Sequence, residues 1–309
     1  MSTEPRSELE KLLVSLTEKL YLFPNPGNAG DSLIAVATIL FLNKIGIDYE
    51  IVDSHSFDGT GKVVAYAGGG NFGGNESRAG RVVAKYHKSA KNFIIFPHTI
   101  FGANDLLSEF GSNCHIFCRE KVSYEHVKSI SINANIYLQD DIVFTATSDD
   151  IFALESKPSY IKAITKELIN KVKGIDDYDF GISLKGALTY FQYISQKKLL
   201  NRKSNSKGVL NAFRTDVEKT SIELPSDNVD LSAVLELSSC NSDLAIVAAQ
   251  RLLREINAFD TIRTNRLHIA IGAILLGKQV ELYGNNYYKI RAIYDYSIKD
   301  KFQNVQWFE

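Results

Sequence analysis

Arg266 and His268, in the run Thr264-Asn265-Arg266-Leu267-His268, stand where a short strand around residues 260–261 should give way to a helix over 266–276. Unpaired amides and the helix dipole favour an anion at such a junction. Arg adds a fixed charge there, and His adds a group that titrates near neutrality. A phosphate or carboxylate site is the sharp reading; a solvated arginine in a first helical turn is the plain one. Arg214-Thr215-Asp216 follows another apolar run, residues 209–213, and offers a second guanidinium, with a surface ion pair between Arg214 and Asp216 as the alternative. Lys289, in Asn285-Asn286-Tyr287-Tyr288-Lys289, is a third exposed-cation candidate with the same two readings.

The first half of the chain carries small residues instead of charges. Asn25-Pro26-Gly27-Asn28-Ala29-Gly30-Asp31-Ser32 precedes a helix, so it is either a loop that lets a ligand approach backbone amides or a capping turn with Asp31 or Ser32 as cap. It is not a Walker loop, because the lysine that would follow is absent. Gly68-Gly69-Gly70-Asn71-Phe72-Gly73-Gly74-Asn75 comes directly after the apolar run 63–67. So many glycines are costly in conformational entropy, and their place after a parallel strand is where open α/β sheets hold ligands. Phe96-Pro97-His98-Thr99-Ile100 also follows an apolar run, and His98 reads as a hydrogen-bonded structural histidine or a base at a strand end. Cys114-His115-Ile116-Phe117-Cys118 suggests metal ligation only superficially: it reads as a strand, with no second ligand pair at zinc spacing, so its cysteines belong in the core. The run Lys197, Lys198, Arg202, Lys203 and Lys207 reads as a solvated helix face, with anionic lipid as the other candidate.

The elements that position these residues follow from periodicity. Leu9, Leu12, Leu13, Leu16 and Leu20 fall at helical spacing behind Thr3 and Pro5, predicting an opening amphipathic helix. A buried helix runs from near Asp31 to Gly46, and its apolar core, residues 33–42, is too short to span a bilayer. Strands are predicted at 49–52, 63–67, 93–96, 116–118 and 136–138, with helices at 78–88 and 122–128. That rhythm is an α/β fold with a parallel sheet and helices on both faces. It lapses over residues 148–207 and then resumes with strands at 209–213, 233–237, 260–261 and 279–283, helices at 243–257 and 266–276, and a last helix from Asn286. The expected domains are therefore 1–147, a helical linker or insertion at 148–207, and 208–309.

At 309 residues, 45% hydrophobic and 23% charged, the chain can bury a core and is not globally disordered. A formal net charge of −1 gives no bulk field to recruit nucleic acid, so any anion recognition must be local. Three cysteines and an N-terminus with neither a basic nor an apolar leader segment give the expectation of a cytoplasmic protein with reduced thiols.

Taken in order, these segments resemble the polysaccharide pyruvyl transferase family. The matching pieces are Gly27-Asn28-Ala29-Gly30-Asp31, Gly68-Gly69-Gly70-Asn71-Phe72-Gly73, Pro97-His98-Thr99-Ile100, Arg119-Glu120 with Ser123, Phe213-Arg214-Thr215-Asp216-Val217-Glu218, Asn265-Arg266-Leu267-His268, and Leu276-Gly277-Lys278 through Asn285, Tyr288 and Lys289. Asn265 and His98 stand where the family often has Asp and Gln. The resemblance implies two Rossmann-like domains facing across a cleft in a GT-B-like architecture, and transfer of the enolpyruvyl unit of phosphoenolpyruvate to a saccharide as a ketal, with phosphate released.

On that resemblance Arg214, Arg266, His268 and Lys289 bind phosphoenolpyruvate in the second domain, where two guanidinium forks suit a molecule carrying both phosphate and carboxylate. Asn28, Gly69, Gly70, Asn71 and His98 face the saccharide in the first. His268 is the candidate acid, and Asp31 and His98 are the candidate bases. The chemistry requires no nicotinamide, flavin or metal cofactor. The implied acceptor is an exopolysaccharide or cell-surface glycan precursor. If it is lipid-linked, the work would fall at the inner face of the membrane. The competing reading is a GT-B nucleotide-sugar glycosyltransferase, since a shared architecture does not settle the reaction.

Overall fold

Ser7 opens the first helix, α1 (Glu8–Ser15), by accepting a 3.2 Å hydrogen bond from the Glu10 amide, and Leu9 and Leu13 bury the apolar stripe. The computed structural model describes residues 6–53, 56–173, 184–200 (side chains to 195), 208–216, 218 and 220–309. The expected capping role of Thr3 and Pro5 lies outside the described residues. Leu20, expected on the same helix, instead starts β1 (Leu20–Phe23), because α1 ends at Ser15 and the chain turns before it.

The chain continues through α2 (Ala29–Lys44), β2 (Tyr49–Ile51), β3 (Val63–Tyr66), β4 (Gly69–Gly73), α3 (Arg78–Tyr86), β5 (Asn92–Phe101), α4 (Asn104–Ser108), β6 (Cys114–Cys118), α5 (Lys121–Ile130) and β7 (Asn135–Leu138). Helices α6 (Ser148–Ala153), α7 (Tyr160–Val172) and α8 (Leu184–Leu200) follow a single 3-10 turn. The last stretch holds β8 (Val209–Asn211), α9 (Leu231–Val234), α10 (Ser242–Asn257), β9 (Thr261–Thr264), α11 (Leu267–Leu275), β10 (Gln279–Tyr283), α12 (Lys289–Ile293) and β11 (Val305–Phe308). No helix among the described residues is long and apolar enough to cross a membrane.

The fold is mixed α/β with parallel sheets. One has seven strands in the order β2-β1-β3-β5-β6-β7, with β4 adding to β5; the other has four, β11-β10-β9-β8. Every pairing is parallel. The chain forms two compact units, Met1–Asn25 with Ala37–Thr145, and Pro26–Val36 with Ala146–Glu309. It passes from one to the other inside α2, so the loop before that helix belongs to the second unit.

In the seven-stranded sheet the chain steps from β1 to β2 on one side and returns to β3 on the other, making a topological switch point at the carboxyl ends of β1 and β3. Those ends carry Asn25 and the glycine cluster. The cluster is not a free loop: Gly69–Gly73 is strand β4, which prolongs β5 well past the predicted stop at Phe96, pairing Gly69 with His98 and Phe72 with Ile100. Pro97 sits inside β5 where the ladder to β6 shifts register between Ile95 and His98. A residue without an amide donor is tolerated at such an irregularity.

Two further differences have local causes. Residues 233–237, predicted as a strand, lie at and beyond α9, because the Asp230 side chain caps a helical turn at the Ala233 amide (3.4 Å) and buries Leu231 and Leu235 four residues apart. The helix expected from Asn286 starts at Lys289, and β11 follows it against β10.

Candidate functional site

In the first unit the switch point is locked by side-chain amides. Asn25 donates from Nδ2 to the Gly68 carbonyl (3.0 Å), while its Oδ1 accepts from the Tyr66 hydroxyl (3.0 Å) and from Asn71 Nδ2 (2.6 Å). Asn71 Oδ1 lies 3.0 Å from His98 Nε2, and His98 Nδ1 lies 3.3 Å from the Ala67 carbonyl. His98 and Asn25 are buried and Asn71 is half-buried. Gly69 adopts φ +155°, and a Cβ there would overlap the Asn25 amide, so the network requires glycine at this position.

Behind β5 sits a buried ion pair. Arg119 donates from Nη1 to Asp141 Oδ2 (2.7 Å) and from Nε to Thr99 Oγ1 (2.9 Å), with Arg119 and Asp141 both 1% exposed. Buried Glu120 accepts from the amide and hydroxyl of Ser123, whose oxygen accepts the Ile100 amide at 2.8 Å. Thus the pieces Arg119-Glu120 and Ser123 hold the far end of β5 in place. Cys114, Cys118 and Cys240 are free and buried, and burial pushes the Cys114 thiol up to about 11.

The second unit gathers the charged residues. The α2 N-terminus is capped by Asn28, whose Oδ1 accepts the Gly30 amide (2.8 Å), while Asp31 Oδ2 accepts the Asn28 amide (2.9 Å). Neither Asp31 nor Ser32 is the N-cap, because the helix starts at Ala29, four residues before its apolar run begins at Leu33. Gly27 donates its amide to Ser239 Oγ at 3.0 Å. A Cβ on Gly30 would sit 3.0 Å from His268 Cβ and 3.3 Å from its Nδ1. His268, in the first turn of α11, is therefore brought against the first turn of α2.

Arg266 is the N-cap residue of α11, and its guanidinium is committed: Nε and Nη2 each donate to buried Asp230 at 2.6 Å, and Nη2 also reaches Asp216 at 3.2 Å. Arg214 donates from Nε and Nη2 to the two Asp216 oxygens (2.8 and 2.9 Å) and pairs through Nη1 with Glu218. The Arg214–Asp216 ion pair anticipated as the plain alternative is thus formed, and through Asp216 it joins Arg266. Burial opposes the charge on Arg214, yet Asp216 and Glu218 hold its pKa above the ordinary value. Tyr287 donates to Glu218 at 2.8 Å, and Lys289 Nζ lies 5.7 Å from the Tyr287 ring, which places Lys289 on the edge of this cluster.

Sequence reasoning did not find Asn25 as a hub, nor Asp230, Ser239 or Glu236. Asp230 meets Arg266 across 36 positions of sequence with no motif to announce it. Glu236 is raised above the usual carboxylate range, first by desolvation, then by Asp31 and Asp230, with Arg266 opposing. Lys197 and Lys198 lie on α8, but their side chains, like all of Arg202, Lys203 and Lys207, fall outside the described residues.

Parallel strands with glycine, amide and arginine clusters at their carboxyl ends mark an α/β protein with its chemistry at the strand tips. The chain belongs to the polysaccharide pyruvyl transferase family, whose sequence model matches residues 28–287. It is accordingly a transferase of pyruvyl groups to polysaccharide. Among solved structures it resembles the crystal structure of a functionally uncharacterized protein from Klebsiella pneumoniae subsp. pneumoniae, with TM-score 0.71, 24% identity, and coverage of 98% of this chain and 97% of that one. That likeness concerns the fold alone. No curated protein matches the chain.

Proposed function

We propose that the enzyme draws its pyruvyl group from phosphoenolpyruvate and forms a ketal on a saccharide, releasing phosphate. The observation that carries the donor half is the convergence of Arg266, His268 and Arg214 at the amino end of α11, in a member of a pyruvyl transferase family. A guanidinium pair matches a ligand with a carboxylate and a phosphate, and Lys289 supplies a further cation nearby. The acceptor half rests on the Asn25-Asn71-His98 network, which presents Gly69, Gly70 and Asn71 at the switch point of the first sheet. Asn28 keeps its capping role beside His268. The GT-B-like pairing of two Rossmann-like domains that the family resemblance implies is part of this proposal, as is the division of labour between residues 1–147 and 208–309.

In this reading a proton goes to the methylene carbon of phosphoenolpyruvate, and one sugar hydroxyl attacks the adjacent carbon and loses its proton. A second hydroxyl then displaces phosphate and closes the ketal. His268 is the acid, set at the meeting of two helix N-termini. Asp31 is the base, with one carboxylate oxygen already engaged by the Asn28 amide. His98, buried behind Asn71, acts by fixing that amide. The reaction as written calls for no cofactor. A cytoplasmic enzyme is proposed, working on a glycan precursor that, when lipid-linked, would bring it to the inner membrane face.

Calorimetry with phosphoenolpyruvate tests the donor assignment. Arg266→Ala removes a charge-assisted contact worth about 1.5–3 kcal/mol, so affinity should fall at least tenfold in a variant that still folds. Undiminished affinity, or saturable binding of a nucleotide sugar in its place, would transfer the chain to the glycosyltransferase reading.

A further inference from the structure

Asp216 offers one carboxylate to two arginines. Its Oδ1 accepts from Arg214 Nε and from the Glu218 amide (3.1 Å), and its Oδ2 accepts from Arg214 Nη2 and Arg266 Nη2. The two arginines are held differently. Arg266 has a buried counter-ion, Asp230, with side chains 7% and 6% exposed, so its position is built into the fold. Among the described residues Arg214 has no counter-ion outside its own loop: Asp216 and Glu218 lie two and four residues further along, and the Asp216 side chain is 42% exposed. An exposed carboxylate from a local loop can leave without dismantling a core. One that is buried and distant in sequence cannot.

The pairings favour this exchange. Three carboxylates, Asp216, Glu218 and Asp230, pair with the two guanidiniums, so an anionic ligand can reach the Arg214 fork only where a carboxylate gives way. Burial raises the Asp216 carboxyl, but Arg214 and Arg266 outweigh that and hold it below the usual carboxylate range, so it stays ionised near neutrality and must be displaced as an anion. A multiply charged donor approaching the Arg214 fork with Asp216 in place would meet that carboxylate at close range.

We propose that Asp216 is a specificity-determining residue of the donor site, a resident carboxylate that occupies the Arg214 fork and yields only to a ligand bearing a carboxylate and a phosphate together. This rests on the donor-site reading above and deepens it. A lone carboxylate would replace one carboxylate by another with nothing gained. A lone phosphate can make the same two-point match with Arg214, but it would only replace one anion by another there and add no second anchor. A ligand with both groups fills the vacated fork with one and leaves the other for Arg266, whose Nη2 contact to Asp216 is vacated at the same time. Selectivity against the free product phosphate and against pyruvate is the consequence.

The test is calorimetric titration of phosphoenolpyruvate, inorganic phosphate and pyruvate into the wild-type chain, Asp216→Asn and Arg266→Ala, with Asp216→Ala as a second variant should the asparagine fold poorly. Removing the carboxylate should tighten inorganic phosphate and pyruvate at least tenfold and phosphoenolpyruvate by less, so that preference for the donor shrinks. Unchanged or weaker binding of phosphate and pyruvate in both Asp216 variants would overturn the proposal while Arg266→Ala still lost the donor. Wild-type donor affinity in Arg266→Ala would instead overturn the donor-site reading itself.

Discussion

His268 is a histidine at the N-terminal turn of α11, packed against the first turn of α2 at Gly30. Two positive helix ends favour an anion beside it. If it is the acid, His268→Gln keeps the hydrogen-bonding shape but cannot donate a proton near neutral pH. Turnover should fall by about 10² to 10⁴ while phosphoenolpyruvate affinity stays within a few fold. Loss of affinity in step with turnover, measured by calorimetry beside initial rates, would make it an anchor. His98 differs in kind: both ring nitrogens are turned to protein carbonyl oxygens, those of Ala67 and the Asn71 side chain, and the ring is buried.

At the scale of elements, β5 is the piece on which the first unit depends. Pro97 interrupts its ladder, β4 covers its second half, and Ser123, Thr99 and the Arg119–Asp141 pair fasten its end. Removing one partner of a fully buried ion pair leaves an uncompensated charge, so Asp141→Ala should lower stability by about 3–5 kcal/mol, read as a lower urea midpoint. An apolar replacement of both Arg119 and Asp141 should recover much of it. A wild-type midpoint in Asp141→Ala would show that the pair does not hold the strand. The sequence pattern made most elements legible because apolar runs such as those inside β3, β6 and β10 carry their own length and period. It misjudged residues 233–237, where a polar cap decided between helix and strand, and it gave no strand over the glycines of β4, since glycine carries no periodic signal. The site was legible as motifs, Gly68 to Gly70, Arg214 and Arg266-Leu267-His268. Their counter-ions were not, because Asp230 becomes a partner of Arg266 only through the tertiary fold.

Over the whole molecule, two parallel sheets each carry a cluster at their strand tips, one neutral and amide-rich, one charged. The neutral cluster of Asn25, Asn71 and glycine backbone suits hydroxyl-rich saccharide, and the charged cluster of Arg214, Arg266 and His268 suits an anionic donor. Membership of the pyruvyl transferase family covers both, since residues 28–287 contain the two clusters save Asn25. The central claim is that phosphoenolpyruvate is the donor and a pyruvate ketal the product. It is tested most directly by incubating the chain with phosphoenolpyruvate and a panel of oligosaccharides, then following phosphate by phosphorus NMR and the acceptor by mass spectrometry. The account predicts one phosphate released for each acceptor that gains the mass of pyruvate less water, with both signals lost in Arg266→Ala. Acceptor modification that proceeds without phosphoenolpyruvate, or that requires a nucleotide sugar and releases nucleotide, would contradict it.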